Sequence, residues 1–80
     1  MGYHVAEIPR GEYGEFSKIV EEFAELQDAH EQGGKILELV ELSDLLGAMA
    51  GYVHKHYNLS IEDVAVMTRM TSSAFKEGKR

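Results

Sequence analysis

Two adjacent glycines, Gly33 and Gly34, interrupt the chain between two long segments with a helical pattern. Consecutive glycines disfavour helix and allow a tight turn. Before them, apolar residues recur at intervals of three and four, which is typical of an amphipathic helix over about residues 15–32. After them, residues 35 to about 57 are apolar on nearly every face. The sequence therefore predicts two antiparallel helices joined by a short turn, with the second one central in its bundle.

A third helix is predicted after the break at Asn58 and Leu59. Ser60 is a favourable N-cap residue, and Asp63 lies three positions later, where a capping box has its second side chain. The helical spacing then continues over about residues 61–76. Residues 1–14 show no clear period, so we expect an irregular N-terminal arm ahead of a single helical domain at 15–80. The predicted fold class is all-α, with three main helices per protomer in an antiparallel bundle completed by oligomerisation.

Composition narrows the possible partners. The chain has 80 residues and no cysteine, so its core is small and no disulfide supplements it. Association into a homo-oligomer is the expected substitute. The net charge of −6 argues against nucleic-acid binding, which needs a basic face. No apolar run approaches the length of a membrane span and no leader opens the chain, so we expect a cytoplasmic protein without membrane contact.

Two pairs of acidic residues stand at helical spacing. Glu22 and Glu25 lie on the first predicted helix, and Glu41 and Asp44 interrupt the apolar second one. Each pair has the i, i+3 spacing that puts both side chains on one helix face, where like charges repel. Glu25 lies eight residues before Gly33 and Glu41 seven after Gly34, so an antiparallel hairpin brings both pairs to a similar height. Four carboxylates at one level predict a site for Mg²⁺ or Mn²⁺.

Of two other interpretations of these acidic residues, a solvated helix surface stays open and a di-iron centre is set aside. Taken alone, Glu22 and Glu25 also fit a solvated helix surface, with Glu21 and Asp28 pointing further toward solvent. A di-iron centre would need Glu-x-x-His on two helices, and no histidine has that glutamate. We therefore expect the four histidines to be partly exposed helix residues. They are His4, His30, His54 and His56.

Basic residues near the acidic pairs and at the end of the third helix have two interpretations. Lys18 lies one turn before Glu22. At the chain end, lysine and arginine can stabilise a helix C-terminus or bind phosphate oxygens. The end residues are Arg69, Lys76, Lys79 and Arg80.

The order Glu-Glu-x-x-Glu at Glu21, Glu22 and Glu25, followed by Glu-x-x-Asp at Glu41 and Asp44, resembles a known signature. It is that of the MazG-like all-α nucleoside triphosphate pyrophosphohydrolases, a superfamily that also contains dimeric dUTPases and phosphoribosyl-ATP pyrophosphohydrolase. Residues 74–80 are similar to the C-terminal end of small phage and bacterial members. The resemblance covers about residues 11–80.

The resemblance implies Mg²⁺-dependent cleavage between the α- and β-phosphates, which gives a nucleoside monophosphate and pyrophosphate. For the general base we expect Glu21 or Glu22. The implied metal ligands are Glu22, Glu25, Glu41 and Asp44. The implied phosphate contacts are Lys18, Lys76, Lys79 and Arg80. It further implies a homodimer or homotetramer whose partners can complete each other's sites.

Two alternative functions remain at this point. One is a non-catalytic helical oligomerisation or regulatory module of the same fold, and the other is a phosphoribosyl-ATP pyrophosphohydrolase. Aromatic residues could stack on a base, although aromatics at helical spacing are usually core. They are Tyr3, Tyr13, Phe16, Tyr52 and Tyr57.

Overall fold

The computed structural model describes residues 4–80, and Tyr3 lies outside the described residues. Three helices follow one another: α1 (Phe16–Gln32), α2 (Lys35–Tyr57) and α3 (Ile61–Lys76). Residues 4–80 contain no strand, and residues 4–14 contain no helix. The prediction of an all-α chain with three helices is confirmed, with α1 beginning one residue later than expected.

The turn between α1 and α2 depends on glycine. Gly33 has φ 79°, a left-handed conformation that residues with a Cβ rarely adopt, and it ends α1. Its N–H donates to the carbonyl of His30 at 3.1 Å, which satisfies one of the last carbonyls of the helix. Gly34 then precedes α2 in an extended conformation.

Ion pairs at both ends show that α1 and α2 are antiparallel. Glu15, just before α1, contacts Lys55 and lies 3.1 Å from His56 Nε2 near the end of α2. At the opposite end, His30 Nδ1 lies 3.2 Å from Glu38 Oε2, across the turn. The hairpin therefore runs the full length of both helices.

The third helix begins at a capping box, as predicted. Ser60 Oγ accepts from the Asp63 N–H at 3.1 Å, and Asp63 Oδ2 accepts from the Ser60 N–H at 2.9 Å. Asn58 reverses the chain ahead of it with φ 55°. The third helix packs against α2 but not against α1.

The N-terminal arm lies along α1 in the opposite direction. The Val5 N–H donates to Asp28 Oδ2 at 3.0 Å, and the Gly11 N–H donates to Glu21 Oε1 at 2.7 Å. A Cβ at Gly11 would lie 2.2 Å from the Ser17 carbonyl oxygen, so only glycine allows this approach. The arm thus covers one face of α1.

The core of a single protomer is small. Among the described residues, only two apolar side chains, Ala29 and Ala48, are buried, whereas Ile36 is 84% exposed. The protomer exposes 6037 Å², and a compact monomer of 9.0 kDa exposes about 4,850 Å². Within the protomer α2 packs against α1 and α3, and apolar side chains such as Leu39 and Leu46 on α2 stay exposed. Within residues 4–80, no helix is both long enough and apolar enough to cross a bilayer.

Candidate metal centre

The hairpin brings the two acidic pairs together. One carboxylate oxygen from each of Glu22, Glu41 and Asp44 lies within 4.8 Å of the others. Glu21, Glu22 and Glu25 form a second such group, so Glu22 is common to both. The predicted similarity in height is confirmed, since residues from both helices contribute to one acidic cluster.

Burial differs sharply among these carboxylates. Glu41 has no exposed surface, and its Oε1 has no hydrogen-bond partner. Glu22 is 6% exposed, so the solvated-surface interpretation is wrong for it, whereas Asp44 is exposed. A buried carboxylate oxygen without a partner is costly. The cluster has the electrostatic character of a cation site, with Asp44 at its open edge.

Burial also changes the proton affinity of Glu22. Its removal from water raises its pKa, and the neighbouring negative charge of Glu25 raises it further. The contact with Lys18 opposes these effects without cancelling them. Glu22 is therefore a stronger base than an exposed glutamate.

His4, in the N-terminal arm, contacts the cluster directly. Its Nε2 lies 3.0 Å from Glu25 Oε1 and 3.1 Å from Glu41 Oε2. Its Nδ1 lies 3.0 Å from Asp28 Oδ2, and its side chain is only 6% exposed. The expectation of a partly exposed helical histidine is wrong for His4. No sequence signal could have placed it, because the arm has no period.

Asp28 was expected to point toward solvent and is instead buried, at 3% exposed. Its Oδ2 accepts from the Val5 N–H at 3.0 Å and from Gln32 Nε2 at 3.2 Å, in addition to His4. Burial acts to raise the pKa of Asp28, but these hydrogen bonds outweigh it and the pKa is lowered. Asp28 is therefore ionised at neutral pH.

Lys18 lies beside the cluster. Its Nζ donates to Glu21 Oε1 at 3.0 Å and lies 3.3 Å from Glu22 Oε2. The hydrogen bond to Glu21 raises the pKa of Lys18. Burial acts to raise the pKa of Glu21, but hydrogen bonds from the Gly11 N–H and from Lys18 prevail and lower it. Glu21 was expected to point toward solvent, yet it fixes both Lys18 and the arm.

A cleft of about 400 Å³ opens beside the acidic cluster. Arg10 lines it together with Lys18, and sequence reasoning missed this second cation. The volume falls in the ~300–1,000 Å³ range of small-molecule sites. The full lining is His4, Ala6, Ile8, Arg10, Lys18, Glu21, Glu22, Glu25 and Asp44.

The basic residues at the chain end lie elsewhere. Lys76, Lys79 and Arg80 are exposed and do not line the cleft. Lys79 Nζ instead lies 3.4 Å from Glu77 Oε1. Of the four predicted phosphate contacts, the protomer places only Lys18 at its own acidic cluster.

Comparisons of this chain with family models, with curated proteins and with solved structures find no match.

Proposed function

We propose that this chain is a metal-dependent nucleotide pyrophosphohydrolase. It cleaves a (deoxy)nucleoside triphosphate into the monophosphate and pyrophosphate. The observation that supports this most is the buried carboxylate cluster, in which Glu41 Oε1 has no hydrogen-bond partner. This cluster adjoins a cleft whose volume suits a small-molecule substrate. The resemblance to the MazG-like signature supports the same reaction.

The donor set fits a divalent cation with a preference for oxygen. Glu22, Glu25, Glu41 and Asp44 would hold Mg²⁺ or Mn²⁺, and the unpartnered oxygen of Glu41 is the atom that gains most from it. Held by these residues, such an ion would supply positive charge that stabilises the negative charge developing on the phosphates.

The cations in the cleft would bind the triphosphate. Lys18 and Arg10 line the same cleft as the acidic cluster, so they can contact phosphate oxygens beside it. Lys18 would exchange part of its contact with Glu21 for the substrate. These two side chains give an otherwise acidic cleft a means of holding an anion.

A carboxylate must accept the proton of the attacking water. Glu21 and Glu22 are both candidates. Glu21 already accepts hydrogen bonds from Gly11 and Lys18, and its pKa is lowered. We assign the general base to Glu22, because it belongs to both acidic groups and so lies where they meet.

The active form would be a homodimer or homotetramer. The protomer's surface exceeds that of a compact monomer by about 1,200 Å², and one partner buries about 800 Å² in a standard interface. A second protomer would cover the exposed apolar face of α2. It could also bring its own copies of Lys76, Lys79 and Arg80 to this cleft.

Pyrophosphate release from a nucleotide panel tests the proposal. The purified protein is assayed with Mg²⁺ and with Mn²⁺ against canonical and modified nucleoside triphosphates and phosphoribosyl-ATP. In a variant with Glu41→Gln and Asp44→Asn, activity should fall by about two orders of magnitude or more, because the metal supplies several kcal/mol of charge stabilisation.

The matched control combines Glu31→Gln with Glu62→Gln. These carboxylates are exposed, and their loss changes the net charge by the same amount. The control should retain activity. If no substrate yields pyrophosphate, or if the Glu41 and Asp44 variant matches the control, the protein is not this enzyme, and a non-catalytic helical module becomes the better interpretation.

A further inference from the structure

The two ring nitrogens of His4 have different surroundings. Nδ1 faces Asp28 Oδ2 at 3.0 Å, and that oxygen also accepts from the Val5 N–H and from Gln32. An ionised carboxylate only accepts hydrogen bonds, so the Nδ1–H group of His4 donates to Asp28 Oδ2. The remaining ring nitrogen, Nε2, then faces the acidic cluster.

Two carboxylate oxygens lie beside Nε2. Glu25 Oε1 is 3.0 Å away and Glu41 Oε2 is 3.1 Å away. These three ligand atoms lie close enough together to hold one metal ion. Two ligands at right angles around an ion at 2.1 Å lie about 3.0 Å apart, which is the spacing found here. The contact of Asp28 with Nδ1 is the usual way in which a second carboxylate orients a ligating histidine.

We propose that His4 is a nitrogen ligand of the acidic centre, oriented by Asp28, and that the centre therefore prefers a first-row transition-metal dication over Mg²⁺. This inference rests on the metal centre of the proposed function and decides between the ions left open there. Imidazole nitrogen suits such metals, whereas Mg²⁺ takes oxygen ligands. The unpartnered, fully buried Oε1 of Glu41 points independently to a cation at the same place.

Nitrogen coordination is tested directly in the native chain. Mn²⁺ is added to protein with ¹⁵N-labelled histidine and to unlabelled protein, and pulsed electron paramagnetic resonance measures nuclear coupling. A directly bound nitrogen whose coupling changes on labelling is the expected result. Absence of any nitrogen coupling to bound Mn²⁺ would overturn the inference without requiring any variant to fold.

Affinity measurements complete the test. Replacement of His4 by alanine should weaken Mn²⁺ binding about tenfold or more and Mg²⁺ binding much less, and Asp28→Asn should weaken Mn²⁺ about tenfold to a hundredfold. The control is His30→Ala, because His30 also faces a carboxylate, Glu38, but its side chain is 70% exposed. It should bind Mn²⁺ like the unmodified chain.

Three other outcomes have separate meanings. If His4→Ala binds Mn²⁺ more tightly, the protonated imidazole occupies the cation position itself and the inference fails. If its affinity is unchanged, His4 is not a ligand, and the proposed function survives provided that Glu41→Gln still abolishes binding. If the unmodified chain binds neither Mn²⁺ nor Mg²⁺, the inference and the metal-dependent function fail together.

Discussion

Replacement of Glu41 by glutamine should stabilise the metal-free protein and remove its response to divalent cations. Glu41 has no exposed surface and its Oε1 has no partner, while carboxylate oxygens of Glu22 and Asp44 lie within 4.8 Å of it. Glutamine has nearly the same shape, carries no charge and can donate hydrogen bonds to these neighbours. The substitution therefore removes one negative charge from a cluster in which neighbouring carboxylates repel one another.

The size of both effects follows from this environment. An unsatisfied buried acceptor costs about 1–3 kcal/mol, and each kcal/mol shifts Tm by about 4–8 °C in a domain of this size. Glu41→Gln should thus raise Tm in a chelator by roughly 4–24 °C. A metal at a hundred times its Kd adds about 2.7 kcal/mol to the unmodified protein, or roughly 10–20 °C. The variant should show no such rise.

Thermal melts followed by far-UV circular dichroism give the Tm of each protein in a chelator and in excess Mn²⁺. The chain concentration is held constant, because association also shifts Tm. Glu31→Gln, at an exposed position, is the control. A different result would refute the reasoning. If Glu41 served only as an ion-pair partner of His4, its loss would destabilise the protein by about 3–5 kcal/mol. An unchanged response to Mn²⁺ would likewise remove Glu41 from the metal site.

Four further outcomes are expected. Ser60→Ala removes the capping box and should lower the free energy of unfolding by about 1 kcal/mol in thermal melts, with activity unchanged; an unchanged Tm would contradict the role of the cap. Ile36→Glu together with Leu39→Glu should dissociate the oligomer in analytical ultracentrifugation, because both side chains are largely exposed in the protomer; no change in mass would place the interface elsewhere. The pKa of Asp28 is lowered in the fold, so ionised Asp28 adds to the free energy of unfolding at any pH above its ordinary pKa of about 3.9. This contribution is lost as the pH falls through the lower native pKa. Acid unfolding of Asp28→Asn should accordingly depend less on pH in that range. Lys18→Met should raise KM for the triphosphate in the pyrophosphate assay, whereas an unaltered KM would separate Lys18 from the substrate.

Local patterns predicted the helices because each boundary depends on neighbouring residues. Gly33 ends α1 because its backbone adopts a positive φ, and Ser60 begins α3 because its hydroxyl and Asp63 satisfy the first backbone groups. The meeting of Glu25 and Glu41 at one height also followed from the sequence, since helix rise is constant and the turn is short.

The helical wheel failed for Glu21 and Asp28 for one physical reason. A wheel considers only packing between helices, and these side chains are buried by the arm instead. The Gly11 N–H donates to Glu21 and the Val5 N–H donates to Asp28. Both contacts join an irregular segment to residues far along the chain, and no periodicity encodes them.

By itself, the sequence determined the three helices, the turn that pairs α1 with α2, and the acidic residues that meet across that turn. Only the tertiary structure decided that His4 joins Glu25 and Glu41, that Asp28 orients it, and that Glu41 is buried with an unsatisfied oxygen. Helices form through contacts three or four residues apart, so their spacing is visible in the chain. The position of His4 depends on hydrogen bonds across more than twenty residues, and these exist only once the arm has folded onto the hairpin.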